Sequence, residues 1–370
     1  MKKAVPVSAP RPKGFAGPLL KWYDRAKRDL PWRGIQNPYA TFVSEMMLQQ
    51  TQVKTVIPYY GLFLKAFPNW KSLAQAHPDK VLKLWAGLGY YRRARNLQAA
   101  AQMVMKDFGG VLPDTLDEIL KLPGVGRYSA GAVLSIAYGK PLPLVDGNVI
   151  RVFSRVFHLK GNLKSGLGHQ RVWELAEAKV SAQRPGDYNQ ALMELGATLC
   201  FSENPLCLLC PLVLICEAAK KGIQNELPEK FKVDKTVDVP MAALLVEKNG
   251  KVLIRKRSDQ EKWLKGMWEF PSAEGKTFEE AVKKLEKELK AKAAPAFIKE
   301  VRHQITRHKI KLRFFSARPK SAQALGKAYQ WVRPHELSKY AFSSAQNQLR
   351  DLVLKSARPK SDGISLNLKF

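Results

Sequence analysis

Cysteine is scarce in this 370-residue chain: there are four, Cys200, Cys207, Cys210 and Cys216, all inside one short segment. That excludes a secreted scaffold, whose disulfides are spread through a shorter chain. Long apolar runs are missing too. The longest, residues 130–139 and 206–216, are about half of the ~18 residues that a membrane span requires. Residues 1–18 are basic and proline-rich without a continuous apolar stretch, so they read as a disordered lead-in and not as a secretory signal. Acidic residues are few, 32 Asp plus Glu against 62 Lys plus Arg, for a formal net charge of +30. With 45% hydrophobic and 25% charged residues the composition is still that of a globular protein, and the length suits two domains.

The basic excess is shared along the chain, with 31 basic and 17 acidic residues before position 231 and 31 and 15 from there on. Both halves therefore suit a polyanion. Nucleic acid outranks an anionic membrane surface because no basic amphipathic anchor appears. Clustered cysteines without a signal peptide point to reduced thiols in a cytoplasmic compartment.

Residues 19–221 carry apolar positions three and four apart, as in 78–86, 93–105, 115–120 and 173–180, punctuated by Pro and Gly. This predicts an all-α first domain. Residues 222–238 are polar and read as a linker. Beyond it, 241–246 and 251–257 flank Asn249-Gly250, a strong β-hairpin signal. Residues 278–292 read as an amphipathic helix, 308–315 as a strand with Lys309, Lys311 and Arg313 on one face, 330–332 as a strand and 344–355 as a closing helix. The second domain, 239–360, is thus mixed α and β, followed by a tail, 361–370.

The cysteines are spaced Cys200-x6-Cys207-x2-Cys210-x5-Cys216. Four thiolates on one short loop can enclose a tetrahedral zinc or a cubane iron–sulfur cluster. Zinc ribbons bring two close pairs together, whereas here only one close pair exists, which favours the cubane. Its milder role is a structural staple that also shapes a basic DNA-contacting loop.

The turn Leu122-Pro-Gly-Val-Gly-Arg-Tyr128 lies between helical segments, where Gly124 and Gly126 leave backbone N–H groups open at a helix start that suits a phosphate. Taken alone it is equally a packing turn. About twenty residues on, Leu144-Val-Asp-Gly-Asn-Val149 sets Asp146 and Asn148 among apolar residues, where an Asp is most often a helix cap. In Ser44-Glu-Met-Met-Leu-Gln-Gln-Thr-Gln52, Glu45 has Phe42, Val43, Met46 and Met47 as neighbours. A carboxyl in that setting resists ionisation and suits a general acid near neutral pH, although an exposed helical Glu is the ordinary alternative. Gln49, Gln50 and Thr51 add groups of the kind that read base edges.

Together these motifs, with Leu30-Pro-Trp-Arg33 and Gly87-Leu-Gly-Tyr-Tyr91, resemble the helix-hairpin-helix DNA glycosylases that carry an iron–sulfur cluster, and among them the MutY-type adenine glycosylases. The resemblance runs over nearly the whole chain. It implies a 4Fe-4S cluster on Cys200, Cys207, Cys210 and Cys216, and a double-stranded DNA partner containing an adenine:8-oxoguanine mispair. It also implies a monomeric, nucleoid-associated enzyme of base excision repair. Glu45 and Asp146 are the implied catalytic pair, positioned by Tyr128 and Asn148. Arg28, Leu30, Trp32 and Gln190 are the implied adenine pocket. Gln50 and Tyr90 are expected to wedge at the lesion, with Leu48, Thr51 and Leu88 nearby, while Arg33, Gly124, Val125 and Gly126 hold phosphates. Endonuclease III-like relatives carry a Schiff-base lysine where Tyr128 stands; a phenol forms no imine, so no lyase step is expected.

The second domain resembles the Nudix-like module that reads 8-oxoguanine. Its helix runs Ala281-Val-Lys-Lys-Leu-Glu-Lys-Glu-Leu289 without the carboxylate set of a Nudix hydrolase, so pyrophosphohydrolase activity is not expected. Where the family carries a Phe-Ser-His tip, this chain has Ile305-Thr306-Arg307. Thr306 keeps a hydroxyl and Arg307 adds a cation, so lesion discrimination is expected to persist with a weaker contact at Thr306. A glycosylase-lyase and a non-catalytic iron–sulfur DNA sensor are the competing functions. The first is opposed by Tyr128, the second by an apolar-set acid that a binder does not need.

Overall fold

The computed structural model describes residues 14–231, 236–319 and 325–356. Residues 1–13 of the expected lead-in, 232–235 of the expected linker and the tail 361–370 lie outside that range. The described residues divide between two units, one drawn from Met1–Ala74 and Ala99–Lys232, the other from Gln75–Gln98 and Val233–Phe370.

The first half of the chain forms helices α1 (Ala16–Ala26), α2 (Pro38–Leu48), α3 (Val53–Ala66), α4 (Trp70–Ala74), α5 (Pro78–Trp85) and α6 (Arg92–Asp107). There follow α7 (Leu116–Ile119), α8 (Arg127–Tyr138), α9 (Gly147–Val156), α10 (Gly166–Lys179), α11 (Pro185–Thr198) and α12 (Glu217–Lys220). Local chemistry sets their ends. Asn37 caps α2 by accepting from the Ala40 N–H, with Pro38 in the first turn where a missing N–H costs nothing. Gly139 ends α8 in the left-handed conformation. In the first unit α1, α8, α9, α10 and α11 bury Leu19, Tyr23, Leu144, Phe153 and Leu192 in one core. The all-α expectation is met there. Helix α5 belongs to the second unit, where its Asp79 takes Lys256 Nζ at 2.7 Å.

The second unit also holds β1 (Val237–Lys248), β2 (Lys251–Lys256), β3 (Trp268–Glu269), β4 (Ser272–Glu274), α13 (Phe278–Leu289), β5 (Ala291–Ile305), β6 (His308–Pro319), β7 (Tyr329–Val332) and α14 (Ser344–Ser356). The sheet order is β3-β2-β1-β6-β5, with β4 on β1 and β7 on β2; β1 and β6 run parallel and the other pairs antiparallel. Asn249 and Gly250 join β1 to β2 with φ of 49° and 68°, the conformation an Asn-Gly hairpin demands. Central β1 is covered on both faces. Ala242 and Leu244 meet Leu285 of α13 on one side, and Ala243 and Leu245 share the other core with Leu349 of α14, which explains its unbroken apolar run.

One expectation is corrected here. The helix expected over 278–292 stops at Leu289, with Lys290 in the left-handed conformation, and residues 291–305 are strand β5. The Ala- and Lys-rich start of β5 favours helix locally, yet its pairing with β6 prevails.

Candidate active site

Glu45 lies on the third turn of α2, only 4% exposed, with Phe42, Val43, Met46 and Met47 buried around it. Burial pushes its carboxyl up to about 7; the Tyr128 hydroxyl, donating to Oε2 at 3.2 Å, lowers it, and the nearby Asp146 charge raises it further. Tyr128 comes from the first turn of α8, and α2 packs directly on α8. Burial and the two carboxylates hold the phenol well above its ordinary value, so it stays a donor.

Asp146 is the N-cap of α9: Oδ1 accepts from the Val149 N–H at 2.7 Å and Oδ2 from Asn148 Nδ2 at 2.9 Å. Burial raises its pKa above the ordinary value, opposed by those two donors. The cap and the catalytic expectation thus fall on the same carboxylate. Arg151 fixes the Asn148 amide by donating to its Oδ1 at 2.8 Å, and the same guanidinium reaches Gly196 O at 2.8 Å and Cys200 O at 2.7 Å. Neither Arg151 nor Gly196 stands out in the sequence.

Gly196 leaves room for Asn148, since a Cβ there would lie 2.5 Å from Asn148 Cβ. Gly196→Ala is accordingly expected to push the amide off Asp146 and to slow the chemical step on the order of a hundredfold. A single-turnover assay at unchanged DNA affinity checks it, and a wild-type rate would show Asn148 free to move without consequence.

The four residues expected to line a base pocket all lie in the first unit. Leu30 and Trp32 are buried, with Trp32 edge-on to Tyr60. Gln190 sits on α11, and one turn later on the same face is Glu194, a residue the sequence reading passed over. Glu194 is buried at 1% side-chain exposure and takes Arg28 Nε and Arg33 Nη2, each at 2.7 Å. Burial alone raises its pKa, but these donors prevail and hold it at about 2. Arg33 also donates to Arg28 O and lies over the Tyr23 ring. The guanidinium expected to hold a phosphate is therefore turned inward, 13% exposed, onto a carboxylate.

In the helix-hairpin-helix turn, Gly124 has φ 81°, a conformation that favours glycine. Gly126 caps α8 with no side-chain hydrogen bond, so the first N–H groups of that helix stay open to an anion beside half-buried Val125. Gln50 follows α2 and is exposed at φ 55°, with Leu48 and Thr51 half-buried beside it. Gln49 differs from expectation: its amide donates to Ser129 Oγ at 2.9 Å, tying the segment to α8.

In the second unit, Tyr90 is 50% exposed at φ 45° while Leu88 is buried. The Arg93 guanidinium shapes this loop by donating to Leu88 O and Gly89 O. Thr306 and Arg307 form the exposed tip between β5 and β6, with Thr306 at φ 51°. The Thr306 hydroxyl donates to Ile305 O at 2.7 Å, and Ile305 is half-buried against the core, an anchor and not a wedge. Gln50, Tyr90 and Thr306 thus share a left-handed backbone that non-glycine residues rarely adopt, a form of strain that collects at functional tips.

Cys200, Cys207, Cys210 and Cys216 are unpaired and line one recess together with Arg155. Burial pushes the Cys210 thiol up to about 12 and raises those of Cys207 and Cys216, so ligation must displace protons. Among the described residues no three His, Cys, Asp or Glu side chains gather closely enough for one metal ion. Four thiols around one recess are the donor set that an iron–sulfur core takes. The loop is not basic as expected. It contains no Lys or Arg from 200 to 216, and it exposes Phe201, Leu206, Leu208, Leu209 and Leu214. Among the described residues no helix is long and apolar enough to cross a membrane.

Residues 43–177 match the family of HhH-GPD superfamily base excision DNA repair proteins, and residues 241–352 match a NUDIX domain. The chain is 46% identical over 238 residues to the adenine DNA glycosylase of Homo sapiens, a match covering 62% of this chain and 44% of the human protein. It therefore spans less than half the length of that relative. It is 37% identical over 264 residues to the adenine DNA glycosylase of Buchnera aphidicola from Acyrthosiphon pisum, covering 71% of this chain and 75% of that protein. Among solved structures, a thermostable thymine-DNA glycosylase superposes with a TM-score of 0.52 at 31% identity, over 56% of this chain and 95% of its own.

Proposed function

The chain belongs to the adenine DNA glycosylase family within the HhH-GPD superfamily, and from that premise we propose that it hydrolyses the N-glycosidic bond of adenine mispaired with 8-oxoguanine, or with guanine, in duplex DNA. The observation that carries this reading is Glu45, a buried carboxyl whose pKa is pushed up to about 7 so that it holds a proton well above the ordinary carboxylate range, oriented by Tyr128 and beside an anchored Asp146. The adenine is turned out of the stack, because its glycosidic bond is unreachable within it. Glu45 gives its proton to N7, so the bond electrons leave with a neutral base. Asp146, negative and held by Asn148, offsets the positive charge that develops on the sugar, after which water adds to the anomeric carbon. Two carboxyl groups with opposite protonation divide the work as in glycoside hydrolysis.

Arg28, Leu30, Trp32 and Gln190 line the adenine pocket, and Glu194, whose two oxygens are taken by Arg28 and Arg33, holds those arginines in place. Tips with left-handed backbone, Gln50, Tyr90 and Thr306, are the points of entry into the duplex, and Thr306 with Arg307 reads the lesion. Cys200, Cys207, Cys210 and Cys216 hold a 4Fe-4S cluster, which when bound pins their loop. The chain acts as a monomer on cytoplasmic DNA.

The test is single-turnover adenine release from a duplex with adenine opposite 8-oxoguanine, against one with adenine opposite guanine. Faster release from the first, with strand breaks only after alkali, is the expected result. Equal rates would remove lesion reading by the second unit, and breaks without alkali would make the enzyme a lyase. No release from either, with the cluster loaded, would overturn the proposal.

A further inference from the structure

Arg155, on α9, is 1% exposed, among the largest fully buried side chains of the protein. Its Nε donates to Leu227 O at 2.9 Å, Nη1 to Phe201 O at 2.6 Å and to Cys200 Sγ at 3.2 Å, and Nη2 to Ser202 O at 3.0 Å. Among the described residues no carboxylate forms an ion pair with it. A buried guanidinium bonded only to carbonyls and one sulfur carries a desolvation cost that an anion normally offsets. The recess that it lines is also lined by Cys200, Cys207, Cys210 and Cys216, whose sulfurs carry negative charge as ligands.

We propose that Arg155 is the counter-charge of the iron–sulfur cluster and the hydrogen-bond donor that tunes it through Cys200. The inference rests on the cofactor reading above. Three of its four bonds clamp the backbone around Cys200, Phe201, Ser202 and Leu227, so the ligand loop is fixed by the same group that donates to the sulfur. A cation and an N–H beside a ligand sulfur stabilise the more electron-rich cluster, which places the reduction potential higher than it would otherwise be. Arg151 hydrogen-bonds the same cysteine at its carbonyl, whereas Arg155 donates to the sulfur. The planar fork of arginine serves sulfur and carbonyls together, which lysine does only in part.

The experiment compares wild-type holoprotein, purified without oxygen and with iron and sulfide quantified, with Arg155→Gln and Arg155→Lys. The expected result is a midpoint potential shifted negative in Arg155→Gln and less so in Arg155→Lys, with iron lost to a chelator severalfold faster in the Gln variant. Where Arg155→Gln does not fold, the Lys variant decides: a potential below that of the wild type supports the hydrogen bond, and an equal one overturns it. A loaded Gln variant with unchanged potential and iron retention also overturns the proposal. Wild-type protein that carries zinc and no iron would defeat the cofactor reading itself, a distinct result.

Discussion

Replacing Glu45 by Gln is expected to slow adenine release by about a thousandfold and, at the same time, to make the protein more stable above pH 7. The first effect follows from chemistry: an amide of the same shape keeps the Tyr128 contact but has no proton to give, and general acids contribute about 10²–10⁴ in rate. The second follows from linkage. Burial raises the Glu45 carboxyl from 4.5 to about 7 on folding. Below pH 4.5 it is protonated in both the folded and the unfolded chain, and no cost arises. As pH rises towards 7 the unfolded chain ionises first, and above 7 the folded state carries the whole penalty, about 3 kcal/mol. Glutamine removes it. The wild-type rate should therefore decline as pH passes about 7, while the variant's low rate lacks that decline and its melting temperature at pH 8 is higher. A melting temperature equal to the wild type's at pH 8 would mean that Glu45 is not the group held neutral.

How much of this was legible depends on whether a residue announces itself by its neighbours in sequence. Glu45 does so in part: four apolar neighbours on one helix point to a carboxyl without solvent, against the more ordinary reading of an exposed helical Glu. Asp146 does so only partly: its sequence context fits a helix cap, and the structure makes it both cap and candidate catalyst. Glu194 does not, because on α11 it reads as an ordinary helical acid, and the arginines that define it come from 166 and 161 residues away. The i, i+4 spacing from Gln190 was the available signal. Arg151, Arg155 and Gly196 are silent for the same reason, their roles arising where α9 and α11 meet the cysteine loop. Gln49 and Arg33 suit DNA by type, yet in the fold Gln49 donates to Ser129 and Arg33 donates to Glu194, bonds that the sequence does not announce. In the second unit the Asn249-Gly250 turn was plain, whereas β5 was hidden by Ala and Lys residues whose local preference is helical.

Asp146→Asn is expected to abolish most activity, a loss of about a thousandfold or more, with little change in fold. The two properties separate here because the residue has two tasks. As the cap of α9 it needs an oxygen facing the Val149 N–H, which asparagine also supplies, at the cost of the bond from Asn148, whose amide then faces a second donor. As the group beside the sugar it needs a full negative charge, which no amide offers. Electrostatic groups aimed at developing charge in a water-poor site are commonly the largest single contribution to rate, and removing one costs about 10²–10³. The loss is greater here because Asn148 and Arg151 hold the side chain at one place, so no other acid moves in. Asp146→Ala supplies the contrast: it removes cap and charge together, and stability should drop by about 1 kcal/mol as well. The comparison also bears on pH. Asp146 is raised above its ordinary value by burial, so the wild-type rate should decline on the acid side as this carboxylate takes up a proton. If Asp146→Asn keeps both its melting temperature and more than a tenth of the wild-type rate, the charge at this position is dispensable and Asp146 is a cap alone.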